Sequence, residues 1–347
     1  MRIDTAGTAD CEKIMNFAVG VEKFWECGII GLYCTLGYCH SIISEVNYPM
    51  KKLFFIMNPH AGQKKANKVL ADIFDIFNRA GYEVTAYMTA APGDGIDVVC
   101  RYAPFVDLIV CCGGDGTFNE TISGILKSGC DVPVGYIPAG STNDFASSLK
   151  LSTNILQAAR DIVEGTAQRF DVGSFGGRNF SYVSSFGVFT KSSYATPQSV
   201  KNALGHLAYI LSGITEIASI KTHKLAFTLP DGRVIEDKFI FGAVSNSTSV
   251  GGVLTLAPSI VDLADGKFEL LLIRAPKNLG ELTECVLALQ KQTYNCAMLT
   301  LEAVDKVTIT TDEQLDWTLD GECEHGKPEV QVQCLHHAVQ IVRRSDL

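Results

Sequence analysis

Three short loops combine glycine with residue types that can bind phosphate, and each one follows an apolar stretch of the chain. They are Asn58 to Gly62, Gly113 to Glu120 and Pro138 to Ala146. Glycines at a strand-to-helix turn let the backbone approach a ligand closely, and main-chain amides near a helix N-terminus can point at phosphate oxygens. One such turn is explained equally well as a plain tight turn, because short glycine motifs are common. Three turns at one edge of a sheet predict a phosphate site.

Carboxylates are the second chemical ingredient of the sequence. A carboxylate can bind a metal ion or take the proton of a ligand hydroxyl. Asp115, Asp265 and Glu322 supply three carboxylates, two of them from the second half of the chain. Taken alone, Asp265 in its Asp-Gly pair favours a hairpin turn, and Glu322 is compatible with an exposed loop carboxylate. If these residues do act together, catalysis takes place in a cleft between two domains.

The elements that must position these residues are predicted from hydrophobic periodicity. Apolar runs at 53–57, 82–88, 107–112 and 134–137 predict strands, and helix-like stretches such as 64–80 lie between them. This alternation indicates a parallel sheet with helices on its faces, whose loops collect at the carboxyl ends of the strands. Beyond residue 165 the segments become shorter, which predicts a mainly β domain interrupted by one long helix over 197–219.

Composition sets the limits of the interpretation. The 347 residues are 47% hydrophobic and 19% charged with a net charge of −9, which excludes a disordered chain and suits two domains. We expect an extension over 1–49 that is dispensable, with Met50 as the functional start, a nucleotide-binding α/β domain over 50–165 and a β-rich substrate domain over 166–347. The acidic total argues against nucleic acid as a partner. Twelve cysteines without a C-x-x-C pair, no membrane span and no signal peptide predict a reduced, cytoplasmic protein.

The phosphate site does not match the common nucleotide motifs. Neither a G-x-G-x-x-G after the first strand nor a G-x-x-x-x-G-K-[ST] is present, so the site belongs to another class of nucleotide enzyme. Residues 51 to 68 carry five lysines and no acidic residue, a local positive field that suits a polyanion. A solvated helix face explains the lysines equally well. The five lysines are Lys51, Lys52, Lys64, Lys65 and Lys68.

The three loops together resemble the diacylglycerol kinase catalytic-domain family, which includes soluble bacterial lipid kinases and sphingosine kinases. Asn58 to Gly62 reads Asn-Pro-x-x-Gly, Gly113 to Glu120 reads Gly-Gly-Asp-Gly-Thr-x-Asn-Glu, and Pro138 to Ala146 reads Pro-x-Gly-Ser-x-Asn-Asp-Phe-Ala. The resemblance covers the chain from Lys51 onward. It continues through Leu204 to Tyr209, Gly251-Gly252, Ala257-Pro258, Asp265-Gly266 and Leu319 to Glu322. It implies an α/β N-terminal domain with a parallel sheet, similar to NAD kinase and phosphofructokinase, followed by a predominantly β C-terminal domain.

The resemblance also implies roles for individual residues. Glu322 matches the proton acceptor, and Asp265 matches an acidic residue associated with Mg²⁺, helped by backbone oxygens at Asp262 and Lys267. Ser141 stands where the family usually has Thr, which keeps the hydroxyl. One extra residue between Pro258 and Asp265 departs from the family spacing and affects the magnesium ligands. The residues expected to contact ATP are Asn58, Pro59, His60, Ala61, Gly62, Thr89, Gly113, Gly114, Asp115, Gly116, Thr117, Phe118, Asn119 and Ser141.

The function implied is an ATP- and magnesium-dependent lipid kinase that phosphorylates diacylglycerol to phosphatidic acid. A sphingoid base, phosphatidylglycerol or another lipid alcohol stays open as the acceptor, because no identified residue reads the headgroup. NAD kinase also uses Gly-Gly-Asp-Gly but lacks the Asp-Gly-Glu loop, and a catalytically dead lipid-binding regulator is the third alternative. The lipid partner implies peripheral association with a membrane surface, and a homodimer is left open.

Overall fold

The computed structural model describes residues 50–187, 220–250 and 254–344, with the backbone only at 249, 250, 254 and 255. The expected extension over 1–49 and the predicted helix over 197–219 lie outside the described residues. So do the Leu204 to Tyr209 motif and the Gly251-Gly252 pair. The described residues from Lys51 onward belong to one compact unit.

Four parallel strands form the first part of the fold, in the order β2, β1, β3, β4. Their apolar sequences match their positions, because β3 and β4 are buried along their whole length, whereas β2 is the edge strand and is largely exposed. The strands are β1 (Lys51–Met57), β2 (Tyr82–Met88), β3 (Leu108–Gly113) and β4 (Val134–Pro138). The helices are α1 (Leu70–Arg79), α2 (Asp94–Tyr102), α3 (Asp115–Ser128), α4 (Asp144–Ser148) and α5 (Ile155–Glu164). The predicted parallel sheet is therefore confirmed.

Alternate residues of β1 enter two different cores, so the parallel sheet has helices on both faces. Phe54 and Ile56 belong to a cluster that includes residues of α2 and α3. Leu53, Phe55 and Met57 belong to a cluster that includes residues of α1 and α5. This division follows from the two-residue period of a strand.

The helix predicted over 64–80 begins later than expected. Gln63 and Lys64 have φ values of 60° and 58°, in the left-handed region, and a continuous α-helix cannot pass through them. The chain instead makes short 3₁₀ turns at Gly62–Lys64 and Ala66–Val69 before α1 starts at Leu70.

The second part of the fold is mainly β, as predicted. Its strands are β5 (Thr166–Phe175), β6 (Arg178–Phe180), β7 (Val183–Gly187), β8 (His223–Thr228), β9 (Val234–Ser245), β10 (Ser249–Val250), β11 (Leu254–Thr255), β12 (Phe268–Arg274), β13 (Leu299–Val304), β14 (Lys306–Thr310), β15 (Asp316–Leu319), β16 (Glu322–His325) and β17 (Glu329–Arg343). Helix α6 (Leu279–Gln290) lies between β12 and β13. The last strand pairs with β4 in parallel, with Ile341 opposite Val134, which joins both parts in one continuous sheet. A domain boundary at residue 165 stays a prediction.

The cysteines of the described segments are free thiols. Cys111 and Cys112, adjacent on β3, are fully buried in the two different cores, where each acts as a small apolar side chain. No helix in the described part of the chain has the length and apolar character needed to cross a membrane.

Candidate functional site

The loops that follow β1, β3 and β4 meet at the carboxyl ends of these strands. The main-chain N–H of Asn58 donates to the carbonyl of Cys112 at 3.1 Å. The N–H groups of Ala139 and Gly140 both donate to the carbonyl of Gly113, at 2.7 and 3.2 Å. The structure thus brings together all three glycine loops identified in the sequence.

Glycine is required where these loops touch each other. Gly62 has a φ of +44°, and a Cβ at this position would lie 1.9 Å from the carbonyl oxygen of Ala139. A Cβ on Gly140 would lie 2.5 Å from the Cα of Gly114. Side chains are therefore excluded from these contacts, and the loops pack main chain against main chain.

The Asp115 carboxylate links the start of α3 to the start of α4. It accepts hydrogen bonds from the main-chain N–H groups of Asp144 and Phe145, at 3.0 and 3.3 Å. Burial raises the pKa of Asp115, although these hydrogen bonds act in the opposite direction. Asn143, with a φ of 55°, fixes the same loop through reciprocal hydrogen bonds with Gly140, both 3.0 Å long. A contact between Asp115 and ATP stays a prediction.

The first loop and Thr89 lie at the end of β1. The side chain of Asn58 closes a turn by accepting the N–H of His60 at 2.9 Å, and the N–H of Ala61 donates to the Asn58 carbonyl at 3.2 Å, so Pro59 sits inside this turn. The hydroxyl of Thr89 donates to the carbonyl of Met57 at 3.4 Å. Ser141 is exposed on the third loop.

Two of the predicted ATP-contacting side chains are buried. Phe118 is fully buried in α3, where its ring stacks on Tyr136 with the centroids 4.4 Å apart. Thr117 is also buried, and a Cβ on Gly113 would meet its side chain at 2.6 Å. Thr117 and Phe118 therefore support the turn from its buried side, whereas Gly116 lies on the side that faces Glu322.

The side chain of Asn119 is held by the second part of the molecule. Its amide donates to the carboxylate of Asp320 at 2.6 Å. Asp320, in the turn between β15 and β16, also accepts the main-chain N–H groups of Ser181, Tyr182 and Val183. Burial raises the pKa of Asp320 to about 6, opposed by these hydrogen bonds. In the sequence, Asp320 is one residue of the Leu319 to Glu322 motif, and no pattern there predicts this connection.

The β15–β16 hairpin places Glu322 opposite the glycine turn. One carboxylate oxygen of Glu322 lies 3.6 Å from the position that a Cβ on Gly116 would take. The other oxygen forms an ion pair with Arg178, whose guanidinium also binds Glu324 at 2.6 Å. Burial lowers the pKa of Arg178, but the Glu324 hydrogen bond and the charges of both carboxylates outweigh it and raise the pKa overall. Arg178 was missed, because a single arginine in a hairpin gives no signal in the sequence.

Asp265 lies in a different group of residues. Its carboxylate accepts the N–H of Lys267 at 2.9 Å, and the carboxylate of Asp262 accepts the N–H of Ala264 at 3.0 Å. The fully buried Asp171 accepts the N–H of Gly266 at 2.7 Å. The predicted magnesium residues Asp262, Asp265 and Lys267 thus form one loop that is anchored on Asp171.

The geometry suits transfer of a charged group to an acceptor across a short gap. The glycine turns on one side are of the kind that binds phosphate oxygens through main-chain N–H groups. On the other side, the exposed Glu322 carboxylate can accept a proton from a hydroxyl that enters between them.

Comparisons with known proteins identify the family of the chain. Residues 52–175 match the family model of the diacylglycerol kinase catalytic domain, and residues 184–343 match the YegS C-terminal NAD kinase beta sandwich-like domain. A diacylglycerol kinase of Bacillus subtilis (strain 168) is 32% identical over 79% of this chain and 90% of its own length. A diacylglycerol kinase of Staphylococcus carnosus (strain TM300) is 29% identical over 78% of this chain and 89% of its own length.

A solved structure has the same fold. It is a candidate diacylglycerol kinase from Bacillus anthracis str. Sterne, with a TM-score of 0.72 and 25% identity, covering 87% of this chain and 98% of its own. The sequence match to the Bacillus subtilis enzyme extends over most of both proteins. The chain therefore belongs to the diacylglycerol kinase family of lipid kinases.

Proposed function

We propose that this chain transfers the γ-phosphoryl group of ATP to the free hydroxyl of diacylglycerol, which yields phosphatidic acid and ADP. The observation that carries the proposal is the position of Glu322, whose carboxylate faces the glycine turn at Gly116. A carboxylate there can take the proton of an acceptor hydroxyl while the oxygen attacks phosphorus. The names of the related diacylglycerol kinases support the choice of substrate.

ATP would bind where the three glycine loops meet. The main chain of Gly113 to Phe118, the Asn58 to Gly62 turn, Thr89 and Ser141 would contact it. The close packing of the three loops at Gly62, Gly114 and Gly140 supports this assignment, because it gathers their main chains in one place and main-chain N–H groups can bind phosphate oxygens. For Asn119 the structure supports a positioning role, since its amide is used by Asp320.

The donor set of the 262–267 loop fits a magnesium ion. Asp262 and Asp265 are exposed carboxylates, each fixed by an N–H two residues further along the chain. Mg²⁺ prefers oxygen ligands, and Asp265 with the backbone oxygens of Asp262 and Lys267 would supply them. The bound ion would supply positive charge at this loop. Asp265 would thereby support catalysis through the metal.

Glu322 would accept the proton of the hydroxyl, and Arg178 would orient Glu322. As the bond between the acceptor oxygen and phosphorus forms and ADP leaves, the hydroxyl proton passes to the Glu322 carboxylate. Arg178 binds the other oxygen of that carboxylate and so holds it in the orientation that faces Gly116. Arg178 is a positioning residue in this scheme.

The acceptor would be presented at a membrane surface. A diacylglycerol keeps its acyl chains in the lipid phase, so we propose peripheral association from the cytoplasmic side, with only the headgroup entering the cleft. A sphingoid base and phosphatidylglycerol are the competing acceptors, since the assigned residues bind phosphate and the reacting hydroxyl rather than the remainder of the headgroup.

The test is a labelled-ATP assay against a panel of lipid alcohols in mixed micelles. We expect magnesium-dependent labelling of diacylglycerol in preference to sphingosine and phosphatidylglycerol, and no labelling of NAD when NAD is added. Glu322→Gln should bind ATP as the parent does but lose turnover by about 10²-fold or more. Labelling of another lipid alone would reject diacylglycerol, and labelling of NAD alone would reject the lipid kinase. If the protein binds lipid but turns over no acceptor, the result would favour a catalytically dead lipid-binding regulator.

A further inference from the structure

The β15–β16 hairpin carries a second group of polar side chains. Asp316 lies directly opposite His325 in the antiparallel ladder. Cys323 precedes His325 by two residues in the same strand, so these three side chains share one face of the hairpin. Glu322 and Glu324 alternate with them and point to the other face, where Arg178 binds both.

The three side chains are close enough to bind one ion. Their ligand atoms, a carboxylate oxygen, a thiol sulfur and an imidazole nitrogen, all lie within 4.8 Å of one another. Tetrahedral zinc with bonds of about 2.0–2.3 Å places its ligand atoms about 3.3–3.6 Å apart. Asp316 and His325 are already closer than that, with 2.9 Å between Oδ1 and Nδ1. A small rotation of exposed side chains would complete the geometry.

We propose that Asp316, Cys323 and His325 form a binding site for a divalent cation of the zinc class, with water in the fourth position. Sulfur and imidazole nitrogen select zinc, cobalt and related metals over magnesium, which prefers oxygen ligands. The site therefore differs in metal preference from the 262–267 loop. Cys323 is an exposed free thiol, and it gives up its proton to solvent when the metal binds.

The surroundings of the hairpin favour this site over the other group of ligands that the described residues offer. That group is Asp171, His336 and His337. Its carboxylate is fully buried and already accepts the N–H groups of Gly266 and His337. On the hairpin, by contrast, Cys323 and His325 lie on the edge strand, where a hydrated cation can reach them.

The metal would also join the two strands of the hairpin. Asp316 belongs to β15, and the other two ligands belong to β16, the terminal strand of the sheet. An edge strand is paired on one side only, so a metal bridge to its neighbour restrains it more than it would restrain a central strand. The restrained strand begins with Glu322.

The test uses the metal-free full-length protein and cobalt as the probe, because a thiolate bound to Co²⁺ gives a charge-transfer absorption. We expect the band in the parent and in Cys130→Ser, a control at a half-buried cysteine two residues beyond the end of α3. Cys323→Ser should lose this band and bind cobalt at least tenfold more weakly. His325→Gln and Asp316→Asn should each weaken binding, and zinc should displace cobalt whereas magnesium in excess should not.

Other results would overturn the proposal. The parent band and affinity in Cys323→Ser would mean that the signal comes from one of the remaining cysteines. Parent affinity in both His325→Gln and Asp316→Asn would mean that a single thiol binds the metal and no site is built. None of these measurements depends on kinase activity, so they separate this proposal from the proposed function.

Discussion

Replacing Gly116 with alanine is the sharpest test of the geometry between the two sides of the site. Outside its own helix backbone and chain neighbours, a Cβ on Gly116 would meet one atom of the described residues within 4 Å, an oxygen of Glu322 at 3.6 Å. This is an ordinary van der Waals distance, and the backbone of Gly116 is not in the left-handed region. The methyl group is therefore compatible with the fold, but it fills the space between the glycine turn and the carboxylate.

The two effects of the substitution have opposite signs. Gly116 lies in the first turn of α3, where alanine is favoured over glycine by up to about 1 kcal/mol. We therefore expect the free energy of unfolding to stay the same or to rise. A phosphate and a hydroxyl displaced by about 1 Å lose roughly 10²-fold in rate, which corresponds to about 2.7 kcal/mol of transition-state stabilisation.

The assay combines urea unfolding with steady-state kinetics on diacylglycerol micelles. Gly116→Ala should show a parent-like unfolding midpoint and a kcat/KM lower by about 10²-fold. Ser123→Ala, at a half-buried position in the same helix, is the control and should keep its activity. A stable Gly116→Ala protein with normal turnover would show that phosphate does not pass between Gly116 and Glu322, and the proposed site would be wrong.

Three further variants test the contacts around this gap. Glu322→Gln should lower kcat while the Kd for ATP, measured by calorimetry, changes little; a weaker Kd with unchanged kcat would contradict the role of proton acceptor. Arg178→Lys should lower kcat by no more than about fivefold at constant KM, since a partly exposed ion pair contributes up to about 1 kcal/mol. The control is Arg169→Lys, because Arg169 forms a surface ion pair with Asp131. A higher KM with unchanged kcat in Arg178→Lys would assign Arg178 to substrate binding. Asp320→Asn should change the pH dependence of stability. Burial raises the pKa of Asp320 from 3.8 to about 6, so between these pH values the native state holds a proton that the unfolded state has lost. The free energy of unfolding of the parent should therefore fall by roughly 1–3 kcal/mol relative to that of the variant as pH rises from about 4 to 6. A constant difference between the two unfolding curves across that range would reject the shift.

The sequence was sufficient to predict the sheet and the meeting of the loops. The apolar runs of β1, β3 and β4 fix buried parallel strands, and the loops that follow parallel strands must collect at one edge. The contact of Gly62 with Ala139 follows from this rule, although the residues are 77 positions apart. The start of α1 could not be predicted, since it depends on left-handed backbone at Gln63 and Lys64, two residue types that favour helices.

The orientation of individual side chains was not predictable in the same way. In the printed sequence, Asn119 is one more amide in a glycine-rich motif, and nothing in the pattern tells that its partner lies 201 residues further along the chain. Arg178 has the same character, because its two carboxylate partners belong to a strand 144 and 146 residues away. Contacts of this kind depend on how the strands of the β-rich part are ordered, which hydrophobic periodicity does not specify.

The bond between Asn119 and Asp320 has a consequence for how the site works. Asn119 belongs to the helix that begins at the glycine turn, and Asp320 precedes Glu322 by two residues in the hairpin turn. Asp320 is buried and Asn119 is half-buried, and leaving a buried carboxylate unpaired costs about 1–3 kcal/mol. Separation of the glycine turn from Glu322 therefore requires that this bond break. The bond therefore restrains the distance from Gly116 to Glu322 in the folded structure.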